Sequence, residues 1–282
     1  MARNERAQWA RLDIDGVALL ADLAAGMFLV RPPQFDDDAP LRCFGAAAAS
    51  SVPLATSGFS GRVAQGAGCN CSVLTLVPHA NGTHTEAAGH LTATPLDAWR
   101  VIPQRLLAAV LLTVEPQLAL DSADSTIPPP AADDRLVTRA ALAQAWPAPL
   151  SPRLAPRAAI IRTRPNEPDK FASASAAAAA PFLSQQAADE LVARGIAHLV
   201  LDVPSADRAE DGGELTAHRV FFGLPRGSTK LADAARPDCT ITELAYADDA
   251  IADGWYLLSL QSPAIAGDAV PSRPVLYPLR VG

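Results

Sequence analysis

Cysteine, aromatic residues and positive charge are all scarce in this chain of 282 residues. Its four cysteines are too few for a disulfide scaffold, and Cys69 and Cys71 have the wrong spacing for a zinc hairpin or a thioredoxin-type redox pair. Lysine and arginine total 23 against 30 aspartates and glutamates, for a net charge of −7, so the basic surface that nucleic-acid binding requires is missing. We therefore expect no nucleic-acid partner.

The chain also lacks an apolar stretch of the about 18 uninterrupted residues that a membrane span requires. Residues 17–30 are largely apolar and follow several arginines, as in a signal peptide, but Asp22 interrupts the run. We interpret this segment as a buried helix that ends near Gly26. The sequence thus predicts a cytoplasmic protein without a membrane partner.

Apolar residues make up 49% of the chain, which is enough for one substantial core. Because no linker-like boundary divides the sequence, we predict a single domain over residues 1–282, of the α/β class. Residues 1–60 would supply the N-terminal helix and the start of a loop or flap that spans residues 31–68. We predict strands at residues 71–77, 106–114, 158–163, 196–203, 240–242, 255–260 and 275–279, helices at 138–146, 184–195 and 215–222, and a loop at 173–180.

Three of the five histidines cluster within residues 78–90, together with one carboxylate. If the chain is extended after His84, Glu86 points to the same face two residues later. With His79, these side chains form a set of two imidazoles and a carboxylate that is typical of a divalent metal site. His90 follows after a short loop, as a further ligand or a proton-transfer group.

The local sequence explains how the two histidines could meet. Pro78 ends the predicted strand at residues 71–77. Asn81 and Gly82 tolerate positive φ angles and predict a turn that folds His84 back toward His79.

The segment resembles the signature of the cyclase family of metal-dependent hydrolases, to which bacterial kynurenine formamidase belongs. That signature runs His-x-Gly-Thr-His-x-Asp-x-Pro-x-His, and residues 82–84 and His90 match it. The chain departs from it in having one extra residue after His79, Glu86 in place of Asp and Ala88 in place of Pro. It is more similar to a branch that reads Gly-Thr-His-Thr-Glu, and the resemblance covers roughly two thirds of the chain.

The resemblance implies a pair of metal sites that share one bridging carboxylate, Glu86. His79, His84 and Glu86 have the positions of the ligands of the first metal, and His218 and Glu243 have those of the other ligands of the second. His90 has the position of the acid–base histidine beside them.

The resemblance also implies the swivelling β/β/α fold of the cyclase and kynurenine formamidase-like family. The implied activity is hydrolysis of an amide, formamide or cyclic amide or ester by a metal-activated water, chiefly at C–N bonds other than peptide bonds. Zinc or manganese, up to two ions per chain, would be the cofactor, a small molecule the substrate, and a homodimer or homotetramer the assembly. We favour the hydrolase. The departures at Glu86, at Ala88 and at the extra residue after His79 suggest an alternative, a non-catalytic metal- or ligand-binding protein on the same scaffold, and a purely structural role is a third reading.

The role of Arg162 has two possible interpretations, and His198 is not assigned to the site. Arg162 either binds a substrate carboxylate or pairs with an acid such as Asp202. His198 lies among apolar residues with no carboxylate at ligand spacing, so we assign it to the core.

Overall fold

The computed structural model describes residues 7–35, 41–171 and 173–282, and its architecture is dominated by β-strands. The strands are β1 (Trp9–Ile14), β2 (Val17–Asp22), β3 (Met27–Phe28), β4 (Ser50–Pro53), β5 (Ala55–Thr56), β6 (Phe59–Ser60), β7 (Ser72–Thr75), β8 (His84–Ala87), β9 (Leu107–Val114), β10 (Gln117–Leu118), β11 (Arg135–Val137), β12 (Ala158–Thr163), β13 (Phe182–Leu183), β14 (His198–Leu201), β15 (Thr240–Glu243), β16 (Gly254–Gln261), β17 (Ala269–Pro271) and β18 (Arg273–Val281).

The described helices are short. They are α1 (Pro78–Asn81), α2 (Ala98–Val101), α3 (Arg139–Ala145), α4 (Ala174–Ala178), α5 (Gln185–Ala193) and α6 (Thr216–Phe222). Thr138 and Ser184 cap α3 and α5 by accepting a hydrogen bond from the backbone N–H three residues on, as their sequence positions predict. None of the helices within the described ranges is long and apolar enough to cross a membrane.

One large mixed sheet of eleven strands organises the molecule. Its order is β1-β2-β18-β16-β9-β12-β14-β15-β8-β17, and β3 pairs with β18 at the side. The four central strands, β9, β12, β14 and β15, are parallel, and antiparallel strands flank them on both sides. The central strands are buried on both faces, which explains their continuous apolar sequences.

Alternate residues of the central strands serve two different cores. Val110 and Leu112 of β9 face the helical side, where the largest cluster includes Leu142 of α3, Leu191 of α5 and Phe221 of α6. Leu111, between them, faces a second cluster on the opposite side of the sheet. The α/β class and the strands and helices predicted from residue 106 onward are confirmed, with the exception of the segment at residues 173–180.

The predicted helix at residues 17–30 is wrong, because this segment forms strands. β1 and β2 form an antiparallel hairpin, and the residues of β2 alternate between buried and half-buried positions. Asp15 and Gly16 form its turn with φ angles of 53° and 73°. An Asp-Gly pair between two alternating segments is a strong hairpin signal, and it prevails over the local helical pattern.

Two loop predictions also need correction. The predicted loop at residues 31–68 contains strands β4, β5 and β6, although residues 36–40 of it, like residues 1–6, lie outside the described part of the chain. The predicted loop at residues 173–180 contains α4, because Ser173 caps it and Ala177 is buried beside Leu244. Alanine has a high intrinsic helix propensity, so a short helix is the expected result once one residue can pack.

Residues 44–77 form a separate arm. As far as the chain is described, β4 pairs with β7 and β5 pairs with β6, and neither small sheet joins the large one. All four residues of β7 are exposed. The exposed large apolar residues of the arm are Phe44, Val52, Val63, Val73, Leu74 and Val77.

Candidate metal centre

Strand β8 positions two of the predicted ligands at the buried end of the large sheet. It lies between β15 and β17, so that His84 is opposite Glu243 and Glu86 is opposite Ala269. Because the strand is extended, His84 and Glu86 point to the same face, as predicted. Both residues are 0% exposed.

His79 reaches the same place by a different route from the predicted one. Pro78–Asn81 form one turn of helix, and Gly82 is extended with a φ of 165°, so the predicted positive-φ turn at Asn81 and Gly82 is wrong. The chain passes so close to the N-terminal segment that a Cβ on Gly82 would lie 2.7 Å from the carbonyl oxygen of Arg31. The His79 and His84 rings still converge, with centroids 5.1 Å apart.

The structure brings all six residues of the predicted site together. His79 Nδ1 lies 3.1 Å from Glu86 Oε2, and His218 Nε2 lies 2.8 Å from Glu86 Oε1. His84 Nε2 lies 3.4 Å from Glu243 Oε2, and His90 Nε2 lies 3.9 Å from Glu86 Oε2. Glu86 is therefore central to the cluster.

Two overlapping groups have ligand atoms within 4.8 Å of one another. One group contains His79, Glu86 and His90, and the other contains His84, Glu86 and Glu243. Glu86 belongs to both, as expected of a bridging residue. The grouping differs from the implied one in that His90, rather than His84, accompanies His79.

Each histidine of the cluster is held by an oxygen at its outer ring nitrogen. The Nδ1 atom of His84 is 3.0 Å from the carbonyl oxygen of Gly82, and that of His218 is 2.6 Å from Asp207 Oδ2. Asp268 Oδ2 lies 2.9 Å from His79 Nε2 and 3.1 Å from His90 Nδ1. An oxygen that accepts the outer N–H fixes the tautomer and directs the other nitrogen's lone pair inward.

The inward atoms fit a cation. His84 Nε2, His218 Nε2 and both carboxylate oxygens of Glu86 are buried without a hydrogen bond to any described residue. His218 Nε2 lies only 2.8 Å from Glu86 Oε1, but the two atoms do not form a hydrogen bond. Buried acceptors without donors are costly, and a divalent cation is the partner that imidazole and carboxylate lone pairs share.

The shifted pKa values of the cluster also indicate that its atoms favour a bound positive charge. Burial by itself would raise the pKa of Glu86, yet the neighbouring His90 and His218 hold that pKa well below its usual value. Burial lowers the pKa of His79, but the neighbouring carboxylates of Asp268 and Glu86 outweigh it and raise the pKa to about 10. Protons and a metal cation would therefore compete for the same atoms.

The cluster opens to solvent on one side. The side chains of His79 and His90 are 25% and 27% exposed, and that of Asp268 is 47% exposed. His84, Glu86, His218 and Glu243 are at most 4% exposed. Within the described part of the chain, His79, His90 and Asp268 therefore form the solvent-exposed side of the centre.

Sequence reasoning missed the roles of Asp207 and Asp268. Asp207 precedes α6 and accepts hydrogen bonds from the backbone N–H groups of Ala217 and His218, which an acid before a helix could have signalled. Asp268 is an acid in a loop before a short strand, and nothing in the local pattern indicates its partners.

Arg162 and His198 both have structural partners. Arg162 donates to Asp253 Oδ1 at 2.9 Å and to the carbonyl oxygens of Asp248 and Ile251. It therefore pairs with an acid, but with Asp253 rather than Asp202. His198 is buried and lies 3.0 Å from Thr240 Oγ1, away from the cluster.

Known proteins resemble this chain in sequence and in fold. The family model described as "Putative cyclase" matches residues 21–208, about two thirds of the chain. None of the curated proteins compared with the chain matches it. The structure of a predicted metal-dependent hydrolase from Bacillus stearothermophilus is 15% identical, with a TM-score of 0.56, and the match covers 89% of this chain and 97% of that one.

Two isatin hydrolases have the same fold. One, bound to the product analogue thioisatinate, is 15% identical with a TM-score of 0.52, over 90% of this chain and 92% of that one. Isatin hydrolase A from Labrenzia aggregata, bound to benzyl benzoate, is 13% identical with a TM-score of 0.55, over 90% and 95% of the two chains. With a family model that spans the His79–His90 segment and a fold shared with metal-dependent hydrolases, the chain belongs to the cyclase family.

Proposed function

We propose that the protein is a metal-dependent hydrolase that cleaves a C–N or C–O bond of a small amide, formamide or cyclic amide or ester. The observation that carries the proposal is the set of inward, buried acceptor atoms of His84, Glu86 and His218 that no described hydrogen-bond donor satisfies. Small cyclic amides come first among the candidate substrates, because isatin, the compound for which two of the similar structures are named, is a cyclic amide.

The residues that would hold the metal are His79, His84, Glu86, His218 and Glu243. A divalent cation bound there supplies Lewis acidity, which makes hydroxide available near neutral pH and stabilises negative charge on a carbonyl oxygen. Zinc and manganese both suit this mixed set of nitrogen and oxygen atoms. The donor set is rigid because an oxygen anchors the outer nitrogen of each histidine.

His90 would move the proton. Its Nδ1 faces Asp268, which leaves Nε2 directed toward Glu86 and the centre. A partly exposed imidazole in this position can take a proton from the attacking water and return it to the leaving nitrogen or oxygen. Its position at the open side places it where a substrate would enter.

The decisive experiment measures metal content by elemental analysis of protein purified without added metal. We expect one to two zinc or manganese ions per native chain, and loss of bound metal in His84→Ala and in Glu86→Ala. His198→Gln is the matched control, since it changes a buried histidine outside the cluster, and it should keep the metal. A native chain without metal, even after reconstitution with zinc or manganese, would refute the proposal.

A second variant separates metal binding from turnover. His90→Gln should retain metal and lose about 10²–10⁴-fold in turnover on whichever amide, lactam or ester of a substrate panel the native protein cleaves. Bound metal with no turnover on the whole panel would instead support the non-catalytic binding protein on the same scaffold.

A further inference from the structure

One carboxylate oxygen connects two histidines at the open side of the centre. Asp268 Oδ2 lies 2.9 Å from His79 Nε2 and 3.1 Å from His90 Nδ1. The two rings are neighbours, with centroids 4.3 Å apart and planes tilted by 35°. Asp268 belongs to neither of the two groups whose ligand atoms lie within 4.8 Å of one another, so its position is outside the cluster.

The backbone fixes Asp268 in this position. It immediately precedes β17, which pairs with β8, and its carbonyl oxygen accepts a hydrogen bond from Ala87 N at 3.3 Å. The preceding residue, Gly267, accepts from Ala98 N and donates to Asp97 Oδ1. The carboxylate is therefore held against the strand that carries Glu86.

An ionised carboxylate only accepts hydrogen bonds, so both histidines must present an N–H to it. His79 then keeps its Nδ1 lone pair for a cation, and His90 keeps its Nε2 lone pair for a proton. These two atoms lie 3.1 Å and 3.9 Å from Glu86 Oε2. The same oxygen thus assigns different roles to the two rings.

We propose that Asp268 is a positioning residue that orients His79 for metal binding and His90 for proton transfer through a single shared oxygen. This inference rests on the proposed function for its consequence in catalysis. Its direct consequence, the orientation of two N–H groups, does not depend on turnover or on bound metal.

The test compares native protein with Asp268→Ala and Asp268→Asn. Zinc affinity is measured by competition with a chromogenic chelator, without substrate, and imidazole N–H signals are recorded by ¹H–¹⁵N correlation spectroscopy. We expect Asp268→Ala to bind zinc 10–100-fold more weakly and to lose the protected N–H signals of His79 and His90. Asp268→Asn, which keeps an acceptor oxygen of the same size, should lose less affinity and retain at least one of the signals.

Asp249→Ala is the matched control. Asp249 is a similarly exposed acid in a pair with Arg164, and it makes no contact with the cluster. It should leave zinc affinity and both N–H signals unchanged. Unchanged zinc affinity and unchanged signals in Asp268→Ala would overturn the inference.

The inference and the proposed function fail in different ways. If the native protein binds no zinc, the proposed function fails, but the two N–H signals of the metal-free protein still decide whether Asp268 holds both rings. If the native protein binds zinc and Asp268→Ala loses neither affinity nor signals, the proposed function stands without a positioning role for Asp268.

Discussion

At the scale of single residues, Lys170 and Asp202 form a buried ion pair. The amine of Lys170 bonds to Asp202 and to the carbonyl and hydroxyl oxygens of Thr163, and the side chains of Lys170 and Asp202 are 6% and 2% exposed. We expect Lys170→Met to lower the free energy of unfolding by about 3–5 kcal/mol, because it leaves a buried carboxylate without its cation. Denaturant unfolding would measure the change.

The control for that variant is an ion pair at the surface. Arg164→Ala removes the partner of the exposed Asp249 and should cost less than about 1 kcal/mol. Equal losses in the two variants would contradict a stabilising role for the buried pair.

His198 should make the fold sensitive to acid. Burial and the nearby charges of Arg157, Arg105 and Arg236 lower its pKa to about 4. The unfolded chain, with a histidine pKa near 6.5, then binds more protons than the folded one between these two values. Stability is therefore fully present above pH 6.5 and falls as the pH drops toward 4, by on the order of 3 kcal/mol.

Thermal melts of native protein and His198→Gln over pH 4–7 measure this loss of stability on acidification. The variant should lose less stability than the native protein on acidification, because it lacks the histidine. Parallel curves for the two proteins would show that His198 is not the acid-sensitive group.

Residue types and spacing pointed to His79, His84, Glu86 and His90, and the family resemblance added His218 and Glu243. Neither pointed to the residues that orient them. His79, His84, Glu86 and His90 are close in sequence, so their chemistry is visible as a local pattern. Asp268 lies 189 residues from His79, and only the pairing of β17 with β8 brings the two together. A contact of that kind leaves no local signal.

At the scale of elements, Gly82 lies in the short connection between the helical turn α1 and β8. The hydrogen bonds of Thr83 to the backbone of Arg31 and to the carbonyl oxygen of Leu244 fix the next residue. A Cβ at Gly82 would lie 2.7 Å from the carbonyl oxygen of Arg31 and 2.9 Å from the nitrogen of Pro33, and both are backbone atoms. The chain must therefore shift to accept a side chain here.

We expect Gly82→Ala to cost about 1–3 kcal/mol of stability and to weaken zinc binding, since the shift moves His79. Gly58→Ala is the control, because a Cβ at Gly58 has no described atom within 4 Å. Denaturant unfolding and zinc titration of both variants provide the comparison. Zinc binding of native strength in Gly82→Ala would show that α1 adapts without moving its histidine.

The elements that sequence patterns predicted best are those whose environment is uniform along their length. β12 is buried along its whole length and β9 at every residue except Thr113, and both begin with an apolar run. The segment at residues 17–30 was harder, because its apolar residues fit a helical spacing as well as an alternating one. The Asp15–Gly16 turn decides between the two, through backbone angles that the apolar pattern does not encode.

At the scale of the whole molecule, metal binding should stabilise the fold. At a free metal concentration 100 times the Kd, binding adds about 2.7 kcal/mol to the free energy of unfolding. For a chain of this size we expect the Tm to fall by about 4–6 °C when a chelator removes the metal. The Tm of Glu86→Ala should not respond to chelator, and an equal response would place the stabilising metal elsewhere.

The arm of residues 44–77 is the surface through which we propose that two copies associate. It carries one charged residue, Arg62, in a chain of net charge −7, so it is where two like-charged copies can approach without repulsion. Among the described strands, β7 pairs with β4 alone and so has one unpaired edge, and a two-stranded sheet is marginally stable alone. Light scattering after size exclusion should show a dimer or a larger assembly of native protein.

Charge introduced into the arm should prevent the association. We expect Val73→Lys combined with Leu74→Lys to give a monomer, because both side chains are exposed on β7. Leu120→Lys, at an apolar residue of the main body that is 74% exposed, should leave the assembly intact. A monomeric native protein, or a charged arm that still assembles, would contradict the proposal.

The order of strands in the large sheet lies beyond what sequence patterns can predict. β18 lies beside β2 and β16, and β8 lies between β15 and β17, so most neighbours are distant in sequence. Patterns of apolar residues identify strands but not their partners. The resemblance to a known family supplied the fold, and the structural comparisons support it.

Because β8 pairs with β15 and β17, the candidate site cannot be completed until late in synthesis of the chain. Chains grow at about 5–20 residues per second, so His79 leaves the ribosome's catalytic centre roughly 10–40 s before Asp268 is added. During that interval the first histidines and Glu86 exist without the opposite wall of the pocket. The proposed set of metal ligands, oriented by Asp268, can therefore assemble only when the chain is nearly complete, and a nascent chain carries only part of it.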